Sequence, residues 1–297
     1  SNPNATDRIP FVENQSLLAD RFYSLYGNAS LEYKSRYVLT GSLRRDASNL
    51  FGVRANQRAV PLGSIGLGWT ISEEEFYGVD FLPYLKLRLS HGFNGNVDRS
   101  LSAFTTAQYL SFNLFIPVNY GQIINPPNQD LRWERIRISN VGLDFENKSG
   151  RISGSVEVYK KAGLDLIGSI PYAPSTGITT FTGNNASTST TGFDISLTTR
   201  NLTGRFQWTT HWIASGIREE VTDYELEFPV SSLLNYGISG RGGEYFPVTG
   251  KPLFSVYSLP WEGLNADNGN PQGLLEGQVS EDYRAMLNQT PLDELIY

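Results

Sequence analysis

The feature that most constrains this chain is a two-residue alternation of apolar and polar side chains, sustained over segments about ten residues long. From Tyr23 to Tyr33 one parity reads Tyr23, Leu25, Gly27, Ala29, Leu31, Tyr33, and the other reads Ser24, Tyr26, Asn28, Ser30, Glu32. A strand turns successive side chains to opposite faces, so the first set shares a greasy face and the second a wet one. Around Leu85 the contrast is sharper, because Leu85, Leu87 and Leu89 alternate with Lys86, Arg88 and Ser90. A helix would spread those charges around its axis, whereas a strand segregates them.

The same alternation predicts eight strands, at about 22–33, 37–46, 59–71, 85–94, 135–145, 151–161, 192–199 and 204–215. In the fifth, Ile136 and Ile138 fall on the parity opposite to Val141, Leu143 and Phe145, which predicts a bulge. The connections 34–36, 146–150 and 200–203 read as short, 72–84 as medium, and 47–58, 95–131, 162–191 and everything after 216 as longer. Short and long connections on alternate sides are the habit of outer-membrane barrels. Aromatic residues repeat near the short side: Tyr33, Tyr37, Trp69, Phe145 and Phe206. The expected fold is therefore all-β, an antiparallel transmembrane β-barrel of which the chain supplies an incomplete portion. Residues 216–297 are expected to form an extracellular loop region, with a short strand at Pro252–Tyr257 and a helix beginning at Thr290-Pro291. Eight strands starting downward leave both chain ends on one side and two unpaired edges in lipid, so further strands are expected to complete the wall.

Composition narrows the function classes. No run approaches the roughly 20 apolar residues of a membrane helix. The first residues lack the charged and apolar regions of a secretion signal, so the chain is expected to begin at a mature end or to be a fragment. With no cysteine there is neither a disulfide framework nor a thiolate metal site. A net charge of −6 with scattered Arg and Lys argues against nucleic acid as a partner.

Several stretches resemble one family, in that family's order. They are the hairpin Tyr33–Asp46 closed by Phe51-Gly52, the turn Leu67–Glu74 with Phe76, Leu85–Asn96, Asn128–Glu134, Asn140–Phe145 and Gly263–Pro271. Together they cover most of residues 20–275 and resemble the SusC/RagA TonB-dependent outer-membrane transporters. Ala47 and Asn128-Gln129 depart from the family's usual Gly and Asn-Pro. The resemblance implies a plugged barrel of roughly 22 strands, with about eight supplied here and the plug and N-terminal domain absent from this chain. It also implies import of oligosaccharides or oligopeptides, a SusD-like surface lipoprotein as partner, and energy from the TonB complex acting through the missing plug.

No catalytic, cofactor or metal constellation is expected. His91 and His211 lie on separate strands, Glu73-Glu74-Glu75 reads as a solvated turn, and Asn265–Glu276 recurs to oxygen ligands without Gly at the sixth position of a Ca²⁺ loop. The candidate substrate-binding residues are loop aromatics, Tyr109, Phe112, Phe115, Tyr120 and Trp261, whose faces suit sugar rings. The competing reading is a surface or secreted β-domain that binds glycans without transporting them.

Overall fold

The computed structural model describes residues 21–49, 59–99, 101, 103–110, 120–176, 178, 180–235 and 246–295. In chain order its strands are β1 (Phe22–Tyr33), β2 (Tyr37–Ser48), β3 (Ala59–Thr70), β4 (Tyr84–Asn96), β5 (Thr106–Leu110), β6 (Tyr120–Asn125) and β7 (Glu134–Glu146). They continue with β8 (Ile152–Pro171), β9 (Thr180–Thr203), β10 (Gln207–Tyr224), β11 (Trp261–Leu264), β12 (Pro271–Leu275) and β13 (Gln278–Ser280). Two short helices, α1 (Val230–Asn235) and α2 (Tyr283–Gln289), accompany the last three strands.

Eight strands form one antiparallel sheet in the order β1-β2-β3-β4-β7-β8-β9-β10. The chain passes up and down through it, and the β5–β6 hairpin stands within the β4–β7 connection. The register carries the alternation from strand to strand. One row runs Leu31, Leu39, Leu67, Leu89, Val141, Val158, Phe193 and ends at Gly216. The next row of the same face runs Tyr33, Tyr37, Trp69, Leu87, Leu143, Val156, Ile195, Ala214. Between them the opposite face carries Glu32, Val38, Gly68, Arg88, Gly142, Glu157, Asp194 and Ser215.

No second sheet covers the apolar face among the described residues, and Leu31 and Leu43 are each 67% exposed. Buried cores are small and lie away from it. One joins Ala103, Leu131 and Trp133, and the other joins Leu233, Tyr257 and Leu295.

Tight turns set the strand starts. Lys34 and Ser35 both have positive φ, 53° and 56°, the backbone that a right-twisted hairpin favours, and the Arg36 N–H donates to the Tyr33 carbonyl. The rings of Tyr33 and Tyr37 then stack at 6.5 Å. Glu74, in the β3–β4 turn, ties this end together: its carboxylate accepts from the Tyr37 hydroxyl, from Trp69 Nε1 at 3.0 Å and from Arg36 Nη1 at 3.3 Å.

Five expectations need correction. The connection 162–191 is mostly strand, because β8 continues to Pro171 and β9 begins at Thr180. β7 has no bulge: its pairing with β4 and β8 is continuous, and Ile136 and Ile138 simply sit on the polar face. Irregular register falls instead near Leu166, Trp208 and Val221. Residues Pro252–Tyr257 form a turn rather than a strand, with Tyr257 buried in the second core. Gly204–Phe206 belongs to the β9–β10 turn, and Thr290-Pro291 leads only into a 3₁₀ turn at Leu292–Glu294.

The donors around Glu74, led by Tyr37 and Trp69, hold its carboxyl below the ordinary 4.5. A lowered folded pKa means that the stabilisation is complete above the unfolded value and is lost as pH falls through the folded one. The stability difference between the native sequence and Glu74→Gln is therefore expected to be constant above about pH 5 and to shrink on further acidification. Denaturant midpoints across an acid series check this.

Candidate functional site

The polar face is the chemically furnished surface. Arg88 on β4 donates to Asp144 on β7 through Nε at 2.7 Å and Nη2 at 3.1 Å, a two-pronged contact that fixes the guanidinium plane. The same Nη2 lies 3.6 Å from Glu157 on β8. Arg88 reaches both carboxylates because Gly142 stands between them in its row: a Cβ there would sit 3.0 Å from Nη2. Gly68, on the other side of Arg88, leaves room for the Lys86 chain in the same way. Gly68, Lys86, Arg88, Gly142 and Glu157 line a depression of about 250 Å³ with Thr40, Ser90 and Asn140.

A second depression lies toward the other strand ends, lined by Ser24, Arg44, Asp46, Asn94 and Arg99 among others. Arg44 Nε donates to the buried Asp46 carboxylate at 2.7 Å, and the Ser42 and Ser64 hydroxyls meet at 2.7 Å across the β2–β3 pair. Above it, the chain leading into β7 is clamped to the long β8–β9 hairpin. Asp165, at φ 56°, accepts from Arg132 and Arg135, each at 2.6 Å. Asn184 bonds both the N–H and the carbonyl of Arg132 at 2.8 Å. The Leu131 and Trp133 side chains bury on either side of that arginine.

Three of the five loop aromatics fall within the described residues. Tyr109 and Tyr120 occupy neighbouring register positions of the β5–β6 hairpin, where Tyr109 pairs with Gly121 and Leu110 with Tyr120. Phe112 and Phe115 lie outside the described residues. Trp261 opens β11 in a separate three-stranded sheet, with its ring 70% exposed. There the Asn265–Asn270 loop folds around Glu281, whose carboxylate accepts from the amides of Asn265, Asn268 and Asn270. Those donors, Asn270 first, hold its carboxyl below the ordinary range.

Sequence reasoning saw Lys86, Arg88, Asp144 and Glu157 as charges on alternating positions but missed their cluster. The signal was the pairing of registers, which places Gly142 beside Arg88 and opposite Glu157. The histidines do not build a triad. His91 Nδ1 meets the Ser139 hydroxyl at 2.8 Å on the apolar face, and His211 Nδ1 meets Thr198 at 3.0 Å. Among the described residues no cluster of three His, Asp or Glu is arranged for a metal.

A one-layer antiparallel meander with a bare apolar face and a charged opposite face defines a segment of a membrane barrel wall. The family model for the TonB-dependent receptor-like β-barrel matches residues 2–278, and the chain belongs to that family of outer-membrane proteins. TonB-dependent receptor P39 of Formosa agariphila is 34% identical over 67% of this chain and 19% of its own length. TonB-dependent receptor SusC of Bacteroides thetaiotaomicron is 28% identical over 67% of this chain and 20% of its own. The structure of the RagAB peptide transporter superposes with a TM-score of 0.74 at 20% identity, over 93% of this chain and 29% of that one. The chain thus spans about a fifth to under a third of the relatives it matches.

Substituting Gly142 tests the Arg88 cluster. Gly142→Val drives the guanidinium off Asp144 and Glu157 and is expected to destabilise by about 1–3 kcal/mol, the usual cost of overpacking. Gly41→Ala, with nothing within 4 Å of the added carbon, is expected to leave the urea midpoint unchanged.

Proposed function

We propose that this chain is part of the wall of a TonB-dependent outer-membrane transporter that imports oligosaccharides or oligopeptides. The observation that carries the reading is the continuous, uncovered apolar face of the eight-stranded sheet. A soluble protein rarely leaves so wide an apolar surface bare, whereas hydrocarbon accepts it. No helix among the described residues is long and apolar enough to cross a membrane, so any crossing belongs to the strands.

In this reading the polar face looks into the lumen, and the tight turns at 34–36, 147–151 and 204–206 point to the periplasm. The remaining strands and a plug come from the same polypeptide. The TonB complex displaces that plug, and a SusD-like lipoprotein closes over the loop end. The Arg88–Asp144–Glu157 cluster carries one more carboxylate than cation, and Lys86, opposite Asp144 in register, offsets it, so the wall offers hydrogen bonds without an unbalanced charge that would trap a solute. Tyr109, Phe112, Phe115, Tyr120 and Trp261 are the proposed substrate contacts. Stacking faces on loops suit sugar rings and peptide side chains alike, which is consistent with relatives named for SusC and for a peptide transporter. No enzymatic step is proposed.

Two measurements test this. Deleting the gene is expected to abolish uptake and growth on one polymeric nutrient while growth on simple sugars continues; unchanged uptake of every polymer tried would overturn the transport reading. Val141→Arg, in the middle of the apolar row, is expected to destabilise the lipid-embedded protein by about 2–4 kcal/mol. Asn140→Arg, one residue away on the polar face, is expected to cost far less. Equal effects, or release of the protein by alkaline wash without detergent, would favour the glycan-binding surface domain instead.

A further inference from the structure

The apolar face has two borders, and they differ in chemistry. Toward the tight turns it ends in rings: Tyr33, Tyr37 and Trp69 in one row, and Phe145 and Trp212 one row further along. Toward the other end, on four of the eight strands, it stops at cations of the same parity, Arg45 on β2, Arg137 on β7, Lys160 on β8 and Arg218 on β10. The cation border slants across the strands. Relative to the leucine row, Lys160 and Arg218 lie one row up, Arg137 two and Arg45 three. A slanted border is what strands tilted against a flat membrane produce. The interval between borders is two residues shorter on β10, from Trp212 to Arg218, than on β2 and β7, where it runs from Tyr37 to Arg45 and from Phe145 to Arg137. On β2 and β7 it amounts to about 27 Å of strand, or about 20 Å of membrane depth at a barrel's tilt.

These four cations are exposed, and no ion pair joins any of them to a carboxylate among the described residues. Arginines elsewhere behave differently: Arg44, Arg88, Arg132 and Arg135 each hold a carboxylate within the protein. On β7–β10 the unpaired cations are close together. Arg137 and Lys160 are diagonal neighbours across one strand pair, about 7–8 Å apart at the backbone. Lys160 and Arg218 are two strands apart, about 10 Å, with the Thr191 hydroxyl between them and Ser139 beside Lys160; the Ser139 oxygen is 2.8 Å from His91 Nδ1, and its hydrogen is free for a ligand where Nδ1 is the donor of that contact. Glu220, the carboxylate nearest in register, lies beyond Arg218 at the edge strand. Long Lys and Arg side chains at the rim of a greasy surface extend their heads to the headgroup layer.

We propose that Arg137, Lys160 and Arg218, with the Ser139 and Thr191 hydroxyls, form a binding site for a phosphate-bearing lipid headgroup whose acyl chains lie on the apolar rows below. Three cations and two hydroxyls match the charge and acceptor oxygens of a phosphate, and the adjoining row of Val141, Val158 and Phe193 receives hydrocarbon. Continuity between a cationic rim and an apolar field selects a lipid over a free anion. The inference rests on the reading that the apolar face meets lipid.

The test uses the full-length polypeptide that contains this chain, in phosphatidylcholine nanodiscs doped with diphosphoryl lipid A or with its dephosphorylated form. Retained lipid is measured by native mass spectrometry, and folding by heat-modifiable gel mobility. Each cation near an anionic surface contributes about fivefold. The native sequence is therefore expected to prefer the diphosphoryl form by on the order of tenfold or more. Arg137→Gln/Lys160→Gln/Arg218→Gln, and Lys160→Glu alone, are expected to lose that preference with unchanged mobility. Equal retention of both lipids by the native sequence, an undiminished preference in the folded variants, or displacement by inorganic phosphate as readily as by lipid overturns the proposal while leaving the barrel intact. A protein that shows no heat-modifiable mobility and leaves the nanodisc overturns the wall reading beneath it.

Discussion

A wall one residue thick must satisfy its backbone sideways. Hydrocarbon offers no hydrogen bonds, so every N–H and C=O on strands that face it needs a partner on a neighbouring strand. The antiparallel ladder from β1 to β10 supplies those partners without interruption across the apolar rows. Because the ladder fixes which residues stand opposite one another, it also converts eight separate alternations into two continuous surfaces. A slip of one residue on any strand would send its charges to the greasy side, so register and patterning enforce each other.

Local devices keep that register. The consecutive left-handed residues Lys34 and Ser35 fix the first hairpin, and Glu74 binds its turn to the next. At the opposite end Asp165 and Asn184 secure the segment entering β7, and the small Leu131–Trp133 core closes over them. Glycines at 68 and 142 keep the polar face low enough for Lys86 and Arg88 to lie along it. The charged cluster is thus a product of the sheet, since its members come from three strands and meet only once the ladder is complete.

How much of this could be read in the chain follows from where water lies. Strand starts beside the tight turns were legible: β1 and β2 begin where alternation and the Tyr33–Tyr37 bend place them. The far ends of β8, β9 and β10 were not. Residues 180–191 are rich in Thr, Ser and Asn, and beyond a greasy belt neither face of a strand needs apolar residues, so the alternation vanishes while the backbone pairing continues. Ile136 and Ile138 misled for a related reason. They stand on the polar face opposite Gly163 and Gly92, and the pairing runs through them unbroken, so no bulge is required. Among the loop aromatics, only the proximity of Tyr109 and Tyr120 emerged, because hairpin pairing across a long connection has no local periodic signal.

The unequal strand lengths give the rim a step. β2 ends three residues past Arg45, whereas β8 runs on from Lys160 to Pro171, about 36 Å further along its axis. Among the described strands the sheet therefore rises from β2 to a stiff, hydrogen-bonded parapet at β8–β10. In the proposed barrel that parapet is a fixed backstop on one side of the mouth, set by strand length before any side chain is touched.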